Sequence, residues 1–193
     1  MRETELKAVV PDQPAARARL ERAGAKLTFA GRLEDRRYDD KRGSLTTRDH
    51  VLRLRTYRGA QGGAVRSSMD WKGPTGVDQG YKVREELSTP VGDQDSMLQI
   101  LDRLGYVVVQ EIDRDIAQYE MDGVTVRFES YPRMDVLVEV EGRPAAIERV
   151  IAVLDLPRSS FSSLRLADFA AQYEARTGQR AGLCERDMTG AGR

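Results

Sequence analysis

Arg2-Glu3-Thr4-Glu5-Leu6-Lys7-Ala8-Val9-Val10 opens the chain with two carboxylates and an ammonium at every second position. A strand points alternate side chains to opposite faces, so Glu3, Glu5 and Lys7 share one face while Thr4, Leu6 and Ala8 share the other. Taken alone this is a half-buried strand with a wet, charged side. Its weight comes from recurrence. Val51-Leu52-Arg53-Leu54-Arg55-Thr56-Tyr57 sets Arg53 and Arg55 against Leu52 and Leu54. Residues 66–72 put Asp70 and Lys72 opposite Met69 and Trp71, and residues 81–89 carry Lys82, Arg84, Glu86 and Ser88 on one side. The last such strand, 136–141, sets Val136, Val138 and Val140 against Leu137, Glu139 and Glu141.

Between these strands the punctuation predicts helices. Pro14 and the alanine-rich run before Gly24 give one over 13–23. Asp93 or Asp95 caps a second, with Met97, Leu98, Ile100, Leu101 and Leu104 as its apolar stripe and Gly105 as its stop. Pro144 opens a third, to residue 154, and 162–176 reads as a fourth, stopped at Gly178. Residues 26–40 read as one strand or a bent pair, 107–113 and 115–121 as two strands, and 124–129 as another after the Asp122-Gly123 turn. Segments 41–50, 58–65 and 73–80 read as loops. Leu20-Glu21-Arg22-Ala23-Gly24 is echoed by Leu101-Asp102-Arg103-Leu104-Gly105, each followed fourteen residues after its glycine by a tyrosine and an acid, and the same offset carries Glu5 onto Glu86. Two tandem β-α-β-β units account for this. A long antiparallel sheet must cover or close its edges, and closure into a barrel with helices outside turns the charged faces inward. The alternative at this point is an open sheet whose polar face is wet.

The 193 residues suit one domain, taken as 1–180 with a polar tail at 181–193. Thirty-one basic side chains balance thirty-one acidic ones, so no overall field recruits nucleic acid or a membrane surface. No apolar run approaches a bilayer span and the chain starts in a charged strand, which leads to the expectation of a soluble, cytoplasmic protein. The single cysteine, Cys184, and single histidine, His50, leave no disulfide framework, thiolate cluster or histidine-centred site. Gly59-Ala60-Gln61-Gly62-Gly63 lacks the spacing and lysine of a P-loop.

The pooled charged face offers Glu3, Glu5, Glu86, Glu129, Glu139 and Glu141 together with Lys7, Arg53, Arg55, Lys72, Lys82, Arg84 and Arg127. Unpaired charge inside a barrel is prohibitive, so both signs need compensation from each other or from a ligand. Carboxylate clusters suit a hard divalent cation, and guanidinium and ammonium groups suit phosphate oxygens.

With these motifs in order, the sequence resembles the CYTH superfamily of triphosphate tunnel metalloenzymes, over roughly residues 2–154. Glu3-Thr4-Glu5-Leu6-Lys7 matches its E-x-E-x-K, and Val138-Glu139-Val140-Glu141 its final E-x-E. Between them fall Tyr38-Asp39, Leu52-Arg53-Leu54-Arg55, Trp71-Lys72-Gly73-Pro74 and Arg84-Glu85-Glu86. The resemblance implies an eight-stranded antiparallel β-barrel of α+β class, with Mg2+ or Mn2+ held by Glu3, Glu5, Glu129, Glu139 and Glu141. It implies substrate contacts from Lys7, Arg53, Arg55, Lys72, Arg84 and Glu86, with Glu3, Glu5 and Lys7 as the catalytic set. The expected activity is hydrolysis of inorganic triphosphate, thiamine triphosphate or ATP, with adenylyl cyclisation and non-catalytic polyphosphate binding as alternatives, and homodimerisation is left open. One departure stands out. Aligned on Tyr119, Glu111-Ile112-Asp113 takes the place of a basic K-x-R pair, so Glu111 and Asp113 are expected to face the cavity. Trp71, Tyr38, Tyr81 and Tyr119 are read as core, or as rings stacking on an organic group at the mouth.

Overall fold

In the computed structural model, which describes residues 2–60, 63 and 65–189, the alternation of the first strand continues around a closed wall. The strands are β1 (Arg2–Val9), β2 (Lys26–Asp40), β3 (Val51–Gly59), β4 (Val65–Lys72), β5 (Gly76–Asp78), β6 (Tyr81–Val91), β7 (Tyr106–Met121), β8 (Val124–Ser130) and β9 (Leu137–Glu141). Eight of them run β1-β9-β8-β7-β2-β3-β4-β6, all antiparallel, and β6 pairs back onto β1 through Glu3 opposite Arg84 and Glu5 opposite Lys82. Closure leaves the eight-stranded ring without a free edge. The short β5 adds to β6 in the segment read as a loop, three residues being too few to show a period.

Five helices lie outside: α1 (Gln13–Arg22), α2 (Gln94–Arg103), α3 (Pro144–Leu154), α4 (Leu166–Thr177) and α5 (Glu185–Thr189). The two expected units appear as β1-α1-β2-β3 and β6-α2-β7-β8. Asp12 caps α1 by accepting from the Ala15 N–H, and Asp93 caps α2 by accepting from Ser96. Each helix covers the tyrosine of the other unit. From α1, Glu21 accepts from the Tyr119 hydroxyl at 2.6 Å, while Leu101 of α2 packs with Tyr38 and Leu54. The apolar strand faces form the main core outside the barrel, where Leu6, Ala8, Val126, Phe128, Val138 and Val140 meet Leu20 of α1 and Ile147, Val150 and Leu154 of α3. Each fully buried Leu, Ile, Val or Phe contributes about 1.5–3 kcal/mol, so the helical layer holds the wall in register. Of the predicted α2 stripe only Leu101 is buried, and Leu98, Ile100 and Leu104 are exposed.

Three readings change. Residues 106–121 form one strand, not two, because the charges around Arg114 continue the alternation rather than break it. Helix α4 begins at Leu166: the residues before it are extended, and Ser162 exchanges both backbone hydrogen bonds with Lys7 at 2.9 Å. Residues 181–189, read as polar tail, lie against the barrel, with Ala181 and Cys184 buried, Gly182 paired with Arg133, and Asp113 N–H donating to Leu183 O. The β3–β4 hairpin expected at 58–65 includes residues 61, 62 and 64, which fall outside the described residues, as do 190–193. No helix among the described residues is long and apolar enough to cross a membrane.

Candidate functional site: a charged tunnel

The inner faces enclose a cavity of about 360 Å³. Its lining contains ten lysines and arginines and eight carboxylates, so the lumen carries a small positive excess. Every residue expected to form the site lines this cavity: Glu3, Glu5, Lys7, Arg53, Arg55, Lys72, Arg84, Glu86, Glu129, Glu139 and Glu141. They do not form one cluster, however.

Glu3 and Glu5 on β1 and Glu141 on β9, which stands opposite Glu5 in register, bring carboxylate oxygens within 4.8 Å of one another. Glu5 accepts from Lys82 Nζ at 2.6 Å and Glu3 from Lys72 Nζ at 3.4 Å, while Lys72 also contacts Glu86. Glu141 has no hydrogen bond or ion pair among the described residues. Burial, then Glu3, Glu139 and Glu5, push its carboxyl up to about 7. Crowded carboxylates with one acid short of counter-charge, and with oxygen donors only, fit a hard divalent cation such as Mg2+, Mn2+ or Ca2+.

Glu129 and Glu139 are engaged elsewhere. Glu129 accepts from Arg114 Nε at 2.9 Å and from the Tyr131 hydroxyl at 2.8 Å, and Glu139 from Arg127 at 2.7 Å and from Lys7. Burial works against the charge of Lys7, but Glu139, Glu5 and Glu129 together hold its pKa above the usual lysine value. Both acids are thus spoken for by cations, unlike Glu141.

The cationic side of the lumen is organised by two acids outside the expected site set: Asp70, which the alternation of 66–72 puts on the charged face beside Lys72, and Asp35. Asp35, 1 % exposed, forms a bidentate pair with Arg55 (2.8 and 3.2 Å) and also accepts from Arg114 at 3.0 Å and Arg53 at 3.4 Å. Burial alone would raise its pKa, but the three guanidinium groups hold it well below the carboxylate range. Asp70 accepts from Arg53 Nη2 at 2.7 Å and from the Ser88 hydroxyl at 2.6 Å. Alternation carried through β2 would have placed Asp35 and Arg37 inside. Arg84 is held by the backbone oxygens of Gly73 and Asp49. At that end of the tunnel the 41–50 loop, ordered by Asp39 accepting from the Leu45 and Thr46 N–H groups, presents Asp49 to Arg165 at 3.0 Å.

The expected acidic departure is corrected. Glu111 and Asp113 face outward, Asp113 bonding Arg36 at 2.6 Å and Glu111 bonding Arg186 at 2.5 Å, while Gln110, Ile112 and Arg114 line the cavity. The reason is parity. Tyr119 points out under α1, and because the one irregularity in this span places its extra residue, Thr28, on β2, β7 keeps its own alternation and Asp113 and Glu111 point out with Tyr119. Of the rings read as mouth-stacking candidates, Tyr81 and Tyr119 belong to the main core outside the barrel, while Tyr38 packs with Leu101 of α2 and also lines the cavity.

Comparisons with known proteins agree with this geometry. The family model described as CYTH domain matches residues 1–149. A search of curated proteins found no match. Among solved structures, the PH1819 protein of Pyrococcus horikoshii is similar with a TM-score of 0.72 at 23 % identity, over 88 % of this chain and 98 % of that one. A Vibrio parahaemolyticus protein provisionally named an adenylate cyclase gives 0.73 at 18 %, over 88 % and 97 %. HpAC1 from Hippeastrum, described as having a dominant triphosphatase activity, gives 0.61 at 15 %, over 94 % and 98 %. At these identities the structures speak for the barrel alone. The family model spans well over half of the sequence, and the chain belongs to the CYTH domain family.

Proposed function

We propose that the tunnel binds a triphosphate-bearing substrate together with a divalent cation and hydrolyses a phosphoanhydride bond. The observation that carries this reading is the juxtaposition, inside one cavity, of the Glu3–Glu5–Glu141 cluster with a wall of arginines and lysines. A lumen with a slight positive excess becomes strongly positive once a divalent ion is added, and a polyphosphate of about four charges balances it. Glu3, Glu5 and Glu141 would hold Mg2+ or Mn2+, which supplies charge neutralisation of the phosphoryl oxygens and a more acidic water. Glu129 and Glu139 serve in this reading to hold Arg114, Arg127 and Lys7 in place instead of ligating the ion. Lys7, Arg53, Arg55, Lys72 and Arg84 grip phosphate oxygens, each sharing its donors between a resident carboxylate and the substrate. Glu86 acts on the substrate through Lys72. Catalysis then rests on positioning and on preorganised positive charge in a water-poor site.

The test is an assay of inorganic triphosphate, thiamine triphosphate and ATP with Mg2+ and with Mn2+, resolving the products by chromatography. Hydrolysis products are expected only with metal. Cyclic AMP and diphosphate from ATP would replace the hydrolase with a cyclase. Binding without turnover would leave a polyphosphate-binding module.

A further inference from the structure

Arg37 stands out among the cations of the tunnel. Each of the others has a carboxylate within ion-pair range; among the described residues Arg37 has none. Its Nη1 donates to the side-chain oxygen of Gln110 at 2.8 Å, and its Nε is buried with no acceptor. The backbone explains the placement. Arg37 is paired across β2–β7 with Gln110, next to a bulge at which Val109 is the extra residue, and such bulges re-aim the side chains beside them. On its other side Arg37 stands directly opposite Arg53 in β3. Like charges directly opposite one another on a sheet are destabilising. Arg53 is compensated by Asp70 and Asp35, but those acids are already shared with Arg55 and Arg114. Asp35 acts on Arg37 only from beyond ion-pair range, so it offsets the repulsion between the two guanidinium groups in part and the balance still disfavours the Arg37 charge.

A buried donor without an acceptor costs stability, more when it carries charge. An anion that brings an oxygen to Nε removes that cost and the repulsion together. We infer that Arg37, oriented by Gln110, is a phosphoryl-gripping residue that takes the end of the bound phosphate chain on the Asp49–His50 side of the tunnel. This rests on the reading of the tunnel as a phosphate-chain site, and within that reading it singles Arg37 out from the other cations. Those must loosen a resident carboxylate to bind phosphate, whereas Arg37 has no such competitor. Burial, followed by Arg53, pushes the Arg37 pKa down to about 10 against the opposing pull of Asp35, in line with a cation that has no carboxylate within ion-pair range.

Calorimetric titration of inorganic triphosphate with Mg2+ into the parent, Arg37→Gln and Arg37→Lys proteins, at matched ionic strength, tests the inference. Arg37→Gln should weaken binding by about 10- to 100-fold, and Arg37→Lys, which keeps the charge but not the Nε donor, should fall between it and the parent. The unfolding temperature without ligand should stay level or rise in Arg37→Gln, since a repulsive, unpaired cation has been removed. A residue with only a structural role would show the reverse, a lower unfolding temperature with unchanged triphosphate affinity, and that would overturn the inference. Parental affinity in a folded Arg37→Gln protein would do the same. If Arg37→Gln does not fold, Arg37→Lys decides alone: parental affinity overturns the inference and weakened affinity supports it. A parent protein that binds no triphosphate would instead defeat the proposed function itself, which separates the two failures.

Discussion

Replacing Asp35 by asparagine is expected to cost about 3–5 kcal/mol of stability at neutral pH, the range seen when one member of a buried ionic network is removed and its partners are left uncompensated. Asp35 touches Arg53, Arg55 and Arg114, and with its charge gone Arg55 loses its nearest counter-ion. The pH dependence has a definite sign. The folded-state pKa of Asp35 is depressed, so its stabilisation is present above the ordinary aspartate range and is lost as pH falls toward the folded value. The gap between parent and variant, measured by denaturant unfolding, should therefore be widest at pH 7 and narrow below about pH 4. The same change should tighten triphosphate binding, because three guanidinium groups are released from a competing carboxylate. A variant that is both less stable and a better anion binder distinguishes this network from a purely structural salt bridge. Unchanged stability would mean that the arginine cluster does not depend on Asp35.

Glu141→Gln is expected to act in the opposite sense on stability. Its carboxyl is raised to about 7, so the charged form is penalised in the folded protein and the penalty is complete only above that pH. Without metal, the variant should be more stable than the parent by on the order of 2–3 kcal/mol at pH 8, with the advantage shrinking as the pH falls through 7 toward the ordinary glutamate range. Metal affinity should drop by about 100-fold, equivalent to roughly 2.8 kcal/mol, and metal-dependent turnover with it. Binding to the parent should release protons near pH 7, because Glu141 must be ionised to serve as a ligand. Parental metal affinity in Glu141→Gln would remove this residue from the cation site.

Much of the barrel is legible in the sequence because a two-residue period is hard to mistake when both faces are distinct. Leu52 and Leu54 against Arg53 and Arg55, or Val138 and Val140 against Glu139 and Glu141, admit one orientation once a core exists on one side. The face of a side chain is legible only where the period runs unbroken through a whole strand. In β7, motif order puts Glu111 and Asp113 inside, whereas their even separation from Tyr119, which lies under α1, puts them outside. In β2, a sequence that reads equally as one strand or a bent pair gives no fixed parity for Asp35 and Arg37. Nothing local marks residues 162–165 as extended, so the sequence runs the helix back to 162; what holds Ser162 extended is a single long-range bridge with Lys7. The division of the acids into a metal-like trio and a set that anchors arginines was not legible either. Glu129 and Glu141 look equivalent in an alternating strand, and only the neighbouring strands show that Arg114 and Tyr131 bond one while no cation among the described residues pairs with the other.

Cation and phosphate chain are expected to occupy the tunnel together. Thermal unfolding at pH 8 with Mg2+ alone, inorganic triphosphate alone and both would test this without requiring turnover. At a ligand concentration of about a hundred times Kd the stabilisation is about 2.7 kcal/mol, or roughly 5–10 °C for a chain of this size. The predicted result is a shift with both ligands larger than the sum of the separate shifts, abolished when Glu3, Glu5 and Glu141 are all changed to glutamine. No shift in the parent, or an equal shift in the triple variant, would contradict it.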